Sequence, residues 1–262
     1  MMGHMFGRSK SRSTPPPAPT PPPAKPPTAP QAPAPSPLPF AIRDTLFGDS
    51  PLEAWPPLNS PVSVAPVSEA AEPWKSFILA REAIGVGAGD GQNDRAIALW
   101  QSITAMPDLE SRHYAQAWHF LRAHDVQPPP ALAKRLLAVV FEVPSGGGLD
   151  LLAAYPERTA RYYNFSGDAI IWERPSDALD TPIDAVLAAA QPVLNAIGPW
   201  EQPRPAAPQG EGHVRINMVS PAGLHFGQGA FATLMAEVFA RPLIEAGIAL
   251  MQRMMEVDGR DR

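Results

Sequence analysis

The residues of this chain that are best suited to chemistry lie in and just before the stretch SPAGLHFGQGAF at positions 220–231. An imidazole, a guanidinium and an amide there could bond to a carboxylate or another anion. Glycine inside a strand is typical of a bulge or of close approach by a ligand. The sequence therefore predicts an anion-binding surface, with an ordinary solvent-facing surface as the alternative. Its residues are Arg215, Asn217, His225, Gly227 and Gly229.

A β-hairpin has to position this surface. The segment 221–223 fits a three-residue hairpin loop that ends with a glycine in the left-handed conformation. That loop pairs Val219 with His225 and puts His225 on the same outward face as Arg215 and Asn217. A phosphate-binding loop is not indicated, because the glycines fall mainly within a predicted strand and no lysine follows them.

Four further residues are candidates for binding a protein partner, because large aromatic residues and arginine are enriched at interfaces. They are Phe47, Trp55, Trp118 and Arg122. The helix predicted around Trp118 also carries His113, His119 and His124. His113 and His124 project in nearly the same direction but lie about three helical turns apart, so they cannot share a metal ion. We predict no metal site and no cofactor.

No catalytic motif is visible in the sequence. The chain has no cysteine, which excludes a cysteine nucleophile and disulfides. Neither G-x-S-x-G nor H-E-x-x-H occurs. The glycine-rich stretch GVGAGDGQND at 85–94 follows a predicted helix, which argues against a dinucleotide fingerprint, and it lacks the acidic spacing of a calcium loop. Enzymatic activity stays open, with a non-enzymatic role favoured.

Charge and hydropathy restrict the class of protein further. The formal net charge is -5 and the isoelectric point is about 5.7, whereas a nucleic-acid-binding domain would show a basic face or stripe. No apolar run reaches the roughly 18 residues that a membrane-spanning helix needs, and the first residues lack the apolar core of a secretory signal. We therefore predict a cytoplasmic protein that binds no nucleic acid; its oligomeric state is left open.

The 35 prolines are unevenly distributed and divide the chain into regions. Residues 1–39 are predicted to be a disordered proline- and alanine-rich arm with a basic tip, acting as a spacer, as a proline-motif ligand for a partner, or as a tether to an anionic surface. Residues 40–72 hold a docking segment and a second linker, 73–129 a helical subdomain, and 130–262 an α+β domain. The apolar residues of the docking segment predict a strap packed on the body, with a partner-binding linear motif as the alternative.

Helical periodicity begins after residue 73. It predicts helices over 74–84, 94–106 and 109–124, and the capping pattern SPLE at 50–53 predicts a further short helix. The stretch ILAREAIGVGAGDGQNDRAIALWQSITAMP (78–107) resembles one tetratricopeptide unit, which would imply a protein-binding groove. It covers about thirty residues where an array needs three or more units, so we interpret it as a helical hairpin.

From residue 136 onward the pattern changes to short strands. A four-strand meander is predicted at 136–143, 149–155, 160–165 and 169–173. A two-residue turn at 166–167 would put Tyr163, Phe165, Ile170 and Trp172 on one buried face. A helix from residue 181, the hairpin described above and a final helix broken near Pro242 complete the pattern. The fold class is therefore α+β, with an antiparallel sheet of about six strands packed with helices.

Two functions are consistent with these patterns. The first is a non-enzymatic protein-interaction or adaptor module, in which the arm tethers the protein and the body offers a surface to an unidentified partner. The second is a small-molecule-binding domain or an enzyme, which uses the Arg-Asn-His surface of the last hairpin to bind an anionic ligand.

Overall fold

The structure of the protein is a computed structural model that describes residues 41–55, 71–85 and 90–259. The predicted arm at 1–39 and most of the second linker lie outside these residues. The helices are α1 (Ile42–Phe47), a 3-10 turn (Leu52–Ala54), α2 (Trp74–Gly85), α3 (Asp90–Ala105), α4 (Ser111–Ala123), α5 (Pro130–Ala133), α6 (Asp180–Ala196), α7 (Phe231–Leu234) and α8 (Ala240–Asp258). The strands are β1 (Ala138–Ser145), β2 (Gly148–Ala154), β3 (Ala160–Tyr163), β4 (Ala169–Trp172), β5 (His213–Ser220) and β6 (Gly223–Ala230).

All six strands form one antiparallel sheet in the order β4-β3-β2-β1-β5-β6. The first four strands are the predicted meander, and β5 pairs with the open side of β1. This arrangement confirms the predicted α+β fold class. Among the described residues, no helix combines the length and the apolar character needed to cross a bilayer.

The sheet has a separate hydrophobic core on each face, because alternate residues of a strand point to opposite sides. Val140 and Val219 pack against α1 to α4 on one side, which we call the α4 face. Val139 and Phe141 pack against α6 and α8 on the other side, which we call the α8 face. Both faces of the central strands are therefore covered.

The longer predicted helices are present at about their predicted positions, with differences at the ends, whereas the short helices α1 and α5 were not predicted. α2 and α4 lie within two residues of their predicted bounds, whereas α3 begins at Asp90 and not at residue 94. The SPLE pattern at 50–53 forms only a single 3-10 turn. The residue at its N-cap is Pro51 and no side chain caps it, while the backbone N–H and C=O of Ser50 bond to the side chain of Gln116 at 2.9 and 3.0 Å.

The C-terminal helices follow their predicted apolar faces. On α6 the residues Ile183, Val186, Ala190 and Leu194 are buried, and on α8 the residues Leu243, Gly247, Leu250 and Met254 are buried. Pro242 lies in the first turn of α8, where its missing N–H breaks no helical bond. The break between α7 and α8 therefore precedes Pro242.

Residues 41–55 form a strap across the α4 face. Leu46, Phe47 and Trp55 are buried, and the ring centroid of Trp55 lies 4.5 Å from that of Phe77. The hydroxyl of Tyr155 donates to the backbone oxygen of Leu46 at 3.0 Å. These contacts agree with the interpretation of this segment as a strap packed on the body.

Candidate functional site

The structure does not bring the predicted Arg-Asn-His surface together. In the last hairpin Met218 pairs with His225, and Asn217 pairs with Phe226, one residue away from the predicted register. Directly opposite residues share a face of the sheet. His225 therefore lies on the α8 face, while Arg215 and Asn217 lie on the α4 face, and the predicted shared face is wrong.

Contacts from outside the hairpin explain the difference in register. The loop consists of Pro221 and Ala222 alone. Arg122 Nη1 donates to Pro221 O at 2.7 Å, and the N–H of Ala222 donates to Ala133 O at 3.1 Å. Gly223, with φ of 130°, belongs to β6. Because the anchoring groups come from α4 and α5, local turn preferences do not reveal them.

The β3–β4 hairpin also differs from its predicted register by one residue, but here the loop is longer than predicted. Tyr162 pairs with Ile170, and Tyr163 pairs with Ala169, so Tyr163 and Ile170 lie on opposite faces. Phe165, which was predicted to be buried, is exposed in the loop. The side-chain oxygen of Asn164 accepts the N–H groups of Ser166 and Asp168 at 3.0 and 2.9 Å. This local bonding lengthens the loop by one residue relative to the predicted turn.

Arg215 and Asn217 are buried, with exposures of 5% and 0%. Both donate to the carboxylate of Glu142, Asn217 Nδ2 at 3.2 Å and Arg215 Nη1 at 3.4 Å. Arg43 of α1 adds a donor to the same carboxylate, its Nε lying 2.7 Å away. Burial lowers the pKa of Arg215, and the charge of Glu142 opposes that effect. These residues form an internal network that joins the strap to the sheet.

A cavity of about 280 Å³ beside the hairpin is lined by Arg215, Gln228 and Gly229 but not by Asn217 or His225. The Nε of Arg215 donates to Gln228 at 2.8 Å, and Nη1 donates to the backbone oxygen of residue 206 at 2.8 Å. The guanidinium of Arg215 therefore uses these donors for hydrogen bonds within the protein. A Cβ at Gly227 would meet no atom within 4 Å, so nothing in the fold requires a glycine there.

His225 forms a buried pair with Ser220, the His225 Nε2 lying 3.1 Å from the Ser220 Oγ. Burial lowers the pKa of His225, against the opposing effect of the carbonyl groups of Ile197 and Gly198. A serine beside a histidine can act as a nucleophile. Both side chains are 0% exposed, so a substrate cannot reach them in this structure.

Three of the four candidates for partner binding lie in the interior. Phe47, Trp55 and Trp118 are buried in the core of the α4 face. This burial corrects the expectation that they offer an exposed surface. The fourth candidate, Arg122, is half-buried and lies in a cleft.

This cleft has a volume of about 680 Å³ and lies between α4, the end of α1, the 199–204 loop and the start of β6. Its basic side chains are those of His119, Arg122 and Arg204. Its acidic side chains are those of Asp49 and Glu201. Burial lowers the pKa of His119, with Asp49 opposing. Trp200 is 44% exposed at the cleft.

Arg204 is neutralised by the strap. Its Nε donates to Asp49 Oδ2 at 2.6 Å, and its Nη2 bonds to Asp44. Burial acts to lower the pKa of Arg204, but hydrogen bonding and charge from Asp49 and Asp44 raise it overall. The guanidinium also lies 4.6 Å from the ring centroid of Phe47. Arg204 therefore fastens the strap to the loop.

Arg122 has no such neutralising partner. Among the described residues its guanidinium makes one hydrogen bond, to Pro221 O, and no ion pair. Burial lowers the pKa of Arg122 to about 10, with the charge of Asp49 acting in the opposite direction. A guanidinium has five N–H donors. Arg122 can therefore offer a planar pair of donors to a carboxylate or a phosphate.

Sequence reasoning named Arg122 but missed its surroundings. Trp200 and Arg204 lie in the loop GPWEQPRPAAPQGEG, which carries no periodic signal. Its one usable signal is compositional, because tryptophan and arginine in a loop are residue types enriched at binding sites. The approach of this loop to α4 and the strap is a property of the folded chain only.

The described residues define an α+β protein with a polar cleft on one face of a six-strand antiparallel sheet, and the guanidinium of Arg122 lines this cleft. Within them, no group of three or more histidine, aspartate or glutamate side chains could hold a metal ion. No family model, no curated protein and no solved structure matches the chain.

Proposed function

We propose that this protein binds a small organic anion in the cleft between α4 and the 199–204 loop, with Arg122 as the main positive charge. The observation that carries the proposal is the half-buried guanidinium of Arg122, which has no carboxylate partner among the described residues. An unpaired charge that is partly withdrawn from water is unfavourable. A bound carboxylate or phosphate would offset that desolvation.

The dimensions and lining of the cleft support a ligand of moderate size. Its volume of about 680 Å³ lies within the roughly 300–1,000 Å³ that is usual for small-molecule sites. Trp200 Nε1 donates to Pro203 O at 3.2 Å, which orients the indole ring. Aromatic rings stack on flat apolar groups. We therefore expect a ligand that joins an anionic group to a flat ring.

Isothermal titration calorimetry of the full chain with aromatic carboxylates and nucleoside monophosphates at low ionic strength tests this proposal. Arg122→Met removes the charge and keeps an apolar side chain. It should weaken binding about tenfold or more, because hydrogen bonds to charged groups contribute about 1.5–3 kcal/mol. Arg122→Lys should bind with intermediate affinity, since it keeps the charge but loses the planar fork.

Arg253→Met is the matched control for this experiment. Arg253 lies exposed on α8, where it pairs with Glu256 at 2.8 Å, so its replacement should leave anion binding unchanged. Wild-type affinity in a folded Arg122→Met variant would contradict the proposal. Failure of every probe to bind the wild-type protein would contradict it as well.

A second candidate function is the protein-interaction or adaptor role. It is favoured by an exposed apolar cluster after β6, in which Phe231, Val238 and Phe239 are 42%, 83% and 57% exposed. Within the described part of the chain, β6 has β5 as its single strand neighbour. Exposed apolar clusters and open sheet edges are surfaces at which proteins associate.

The variant Phe239→Glu tests the protein-interaction role without altering the cleft proposed to bind an anion. The variant should lose a partner, or a second copy of the chain, that wild-type protein retains in sedimentation velocity and in affinity purification read by mass spectrometry. Phe165→Glu is the control, because Phe165 is also exposed but lies in the β3–β4 loop. Identical association by Phe239→Glu and wild type would exclude this surface.

We favour binding over catalysis because the Ser220–His225 pair, which has the residue types of a nucleophile and its base, is inaccessible. A cytoplasmic location and the lack of nucleic-acid binding stay predictions that rest on the charge and the sequence pattern.

A further inference from the structure

A second cavity lies on the α8 face, on the opposite side of the sheet from the cleft. Its volume is about 220 Å³. The apolar side chains that line it include Phe141, Leu152, Val214, Ile244, Ile248 and Met251. Phe231 of α7 also lines it and is partly exposed. The cavity is therefore an apolar space between the central strands and α8, with access to solvent on the side of Phe231.

One part of this cavity is polar, because Asp150 and Tyr162 contribute to its lining. Asp150 Oδ1 accepts the N–H of Phe165 at 2.7 Å, but Asp150 Oδ2 lies 3.5 Å from the hydroxyl of Tyr162. A good O–H···O hydrogen bond measures about 2.7 Å. The hydrogen bond between the Tyr162 hydroxyl and Asp150 Oδ2 is therefore weak, and both atoms can form a hydrogen bond with a ligand.

The electrostatics define which polar group would suit this position. Burial and the charge of Asp150 raise the pKa of Tyr162, so the tyrosine stays neutral. A negatively charged ligand would meet the like charge of Asp150, which is unfavourable. A hydroxyl or amino group can donate to Asp150 Oδ2 and, when it is a hydroxyl, accept from Tyr162.

We propose that this cavity binds a single-ring apolar molecule that carries one hydroxyl or amino group, as a substituted phenol does. A cavity of about 150 Å³ holds benzene, so about 220 Å³ accommodates a ring with one or two small substituents. The ligand differs in charge from the anion expected in the cleft. The two proposals rest on different residues and can fail separately.

Titration of the full chain with p-cresol and with toluene, followed by the methyl resonances of Ile244, Ile248 and Met251, tests the proposal. Both probes should shift these resonances, and p-cresol should bind about fivefold more tightly, as expected for one additional hydrogen bond. Asp150→Leu should remove this preference and leave toluene binding intact. Equal affinities for the two probes in wild-type protein would overturn the assigned polar group.

Ile248→Trp fills the cavity and should abolish binding of both probes. Val257→Trp is the matched control, because Val257 lies on the same helix but is exposed. Met251→Phe serves as a second filling variant in case Ile248→Trp does not fold. Unchanged p-cresol binding in a folded filling variant, or methyl resonances that do not move in wild-type protein, would overturn the proposal.

Discussion

The carboxylate of Glu142 is fully buried at the centre of the sheet, where an isolated charge would strongly destabilise the fold. Arg43, Arg215 and Asn217 donate to it from two different elements, the strap and β5. Arg43 and Glu142 are 99 positions apart in the chain. At the scale of the residue, this carboxylate joins the strap directly to the centre of the sheet.

His113 is the buried group from which we expect a measurable pH dependence. Among the described residues neither of its ring nitrogens has a hydrogen-bond partner, and its ring lies 5.1 Å from Trp74. Burial lowers the pKa of His113 to about 4, with the charge of Arg112 acting in the same direction. The folded protein therefore keeps this imidazole neutral.

Because the unfolded chain binds a proton near the ordinary histidine pKa of about 6.5, the free energy of unfolding should fall as the pH drops from about 6.5 to 4. The loss due to His113 should be on the order of 3 kcal/mol at pH 4, and above pH 7 there should be none. Urea denaturation across this range measures it. His113→Phe should flatten the dependence, although His119 and His225 contribute in the same direction.

His213→Phe is the control for this measurement, since His213 is exposed at the start of β5. If the free energy of unfolding of His113→Phe depends on pH as that of the wild-type protein does, burial does not prevent protonation of His113 in the wild-type folded state.

At the scale of the element, the strap depends on a close approach at Gly48. This residue ends α1 in the left-handed conformation, with φ of 60°. A Cβ there would overlap the backbone oxygen of Arg112 and would lie 2.8 Å from the Cβ of Ala115. The strap therefore lies directly against the backbone of α4, and only glycine fits between them.

Gly48→Ala should destabilise the protein by about 2 kcal/mol more than Gly212→Ala does. Gly212 also has a positive φ, 77°, but a Cβ there would meet no atom within 4 Å. Both variants bear the left-handed strain of about 1–2 kcal/mol, and only Gly48→Ala adds the overlap. Equal midpoints in urea denaturation for the two variants would argue against a tight contact between strap and α4.

The helices and strands themselves were largely predictable from the sequence, but the register of the hairpins and the contacts between distant segments were not. The apolar stripes of α6 and α8 identified those helices, because each stripe has a helical period, and the short apolar run at 136–143 identified β1 as a strand buried on both faces. The hairpin after Ser220 was placed in the wrong register because Arg122 and Ala133 anchor its loop from elsewhere. That single-residue difference moved His225 to the other face. The cleft was not predictable, because it is formed by segments from four parts of the chain.

At the scale of the whole molecule, the strap closes the core of the α4 face. A chain that begins at residue 72 lacks the buried side chains Leu46, Phe47 and Trp55, each worth about 1.5–3 kcal/mol of burial. It should unfold roughly 10 °C or more below the full chain in a thermal melt. A chain that begins at residue 41 keeps the strap and should melt with the full chain. Equal melting of all three would show that the strap contributes little to stability.

The strand order has a consequence for how this protein folds. Phe141 of β1 pairs with Ile216 of β5, and β2, β3, β4 and α6 all lie between these residues in the sequence. During synthesis β1 can pair on one side as soon as β2 emerges, but its other side stays open until β5 is made. An open edge of this kind invites association with other chains. Joining β1 to β5 is a contact between distant parts of the chain, the type that slows folding most. The closure of β5 onto β1 at the centre of the sheet is therefore expected to be one of the slow steps in the folding of this protein.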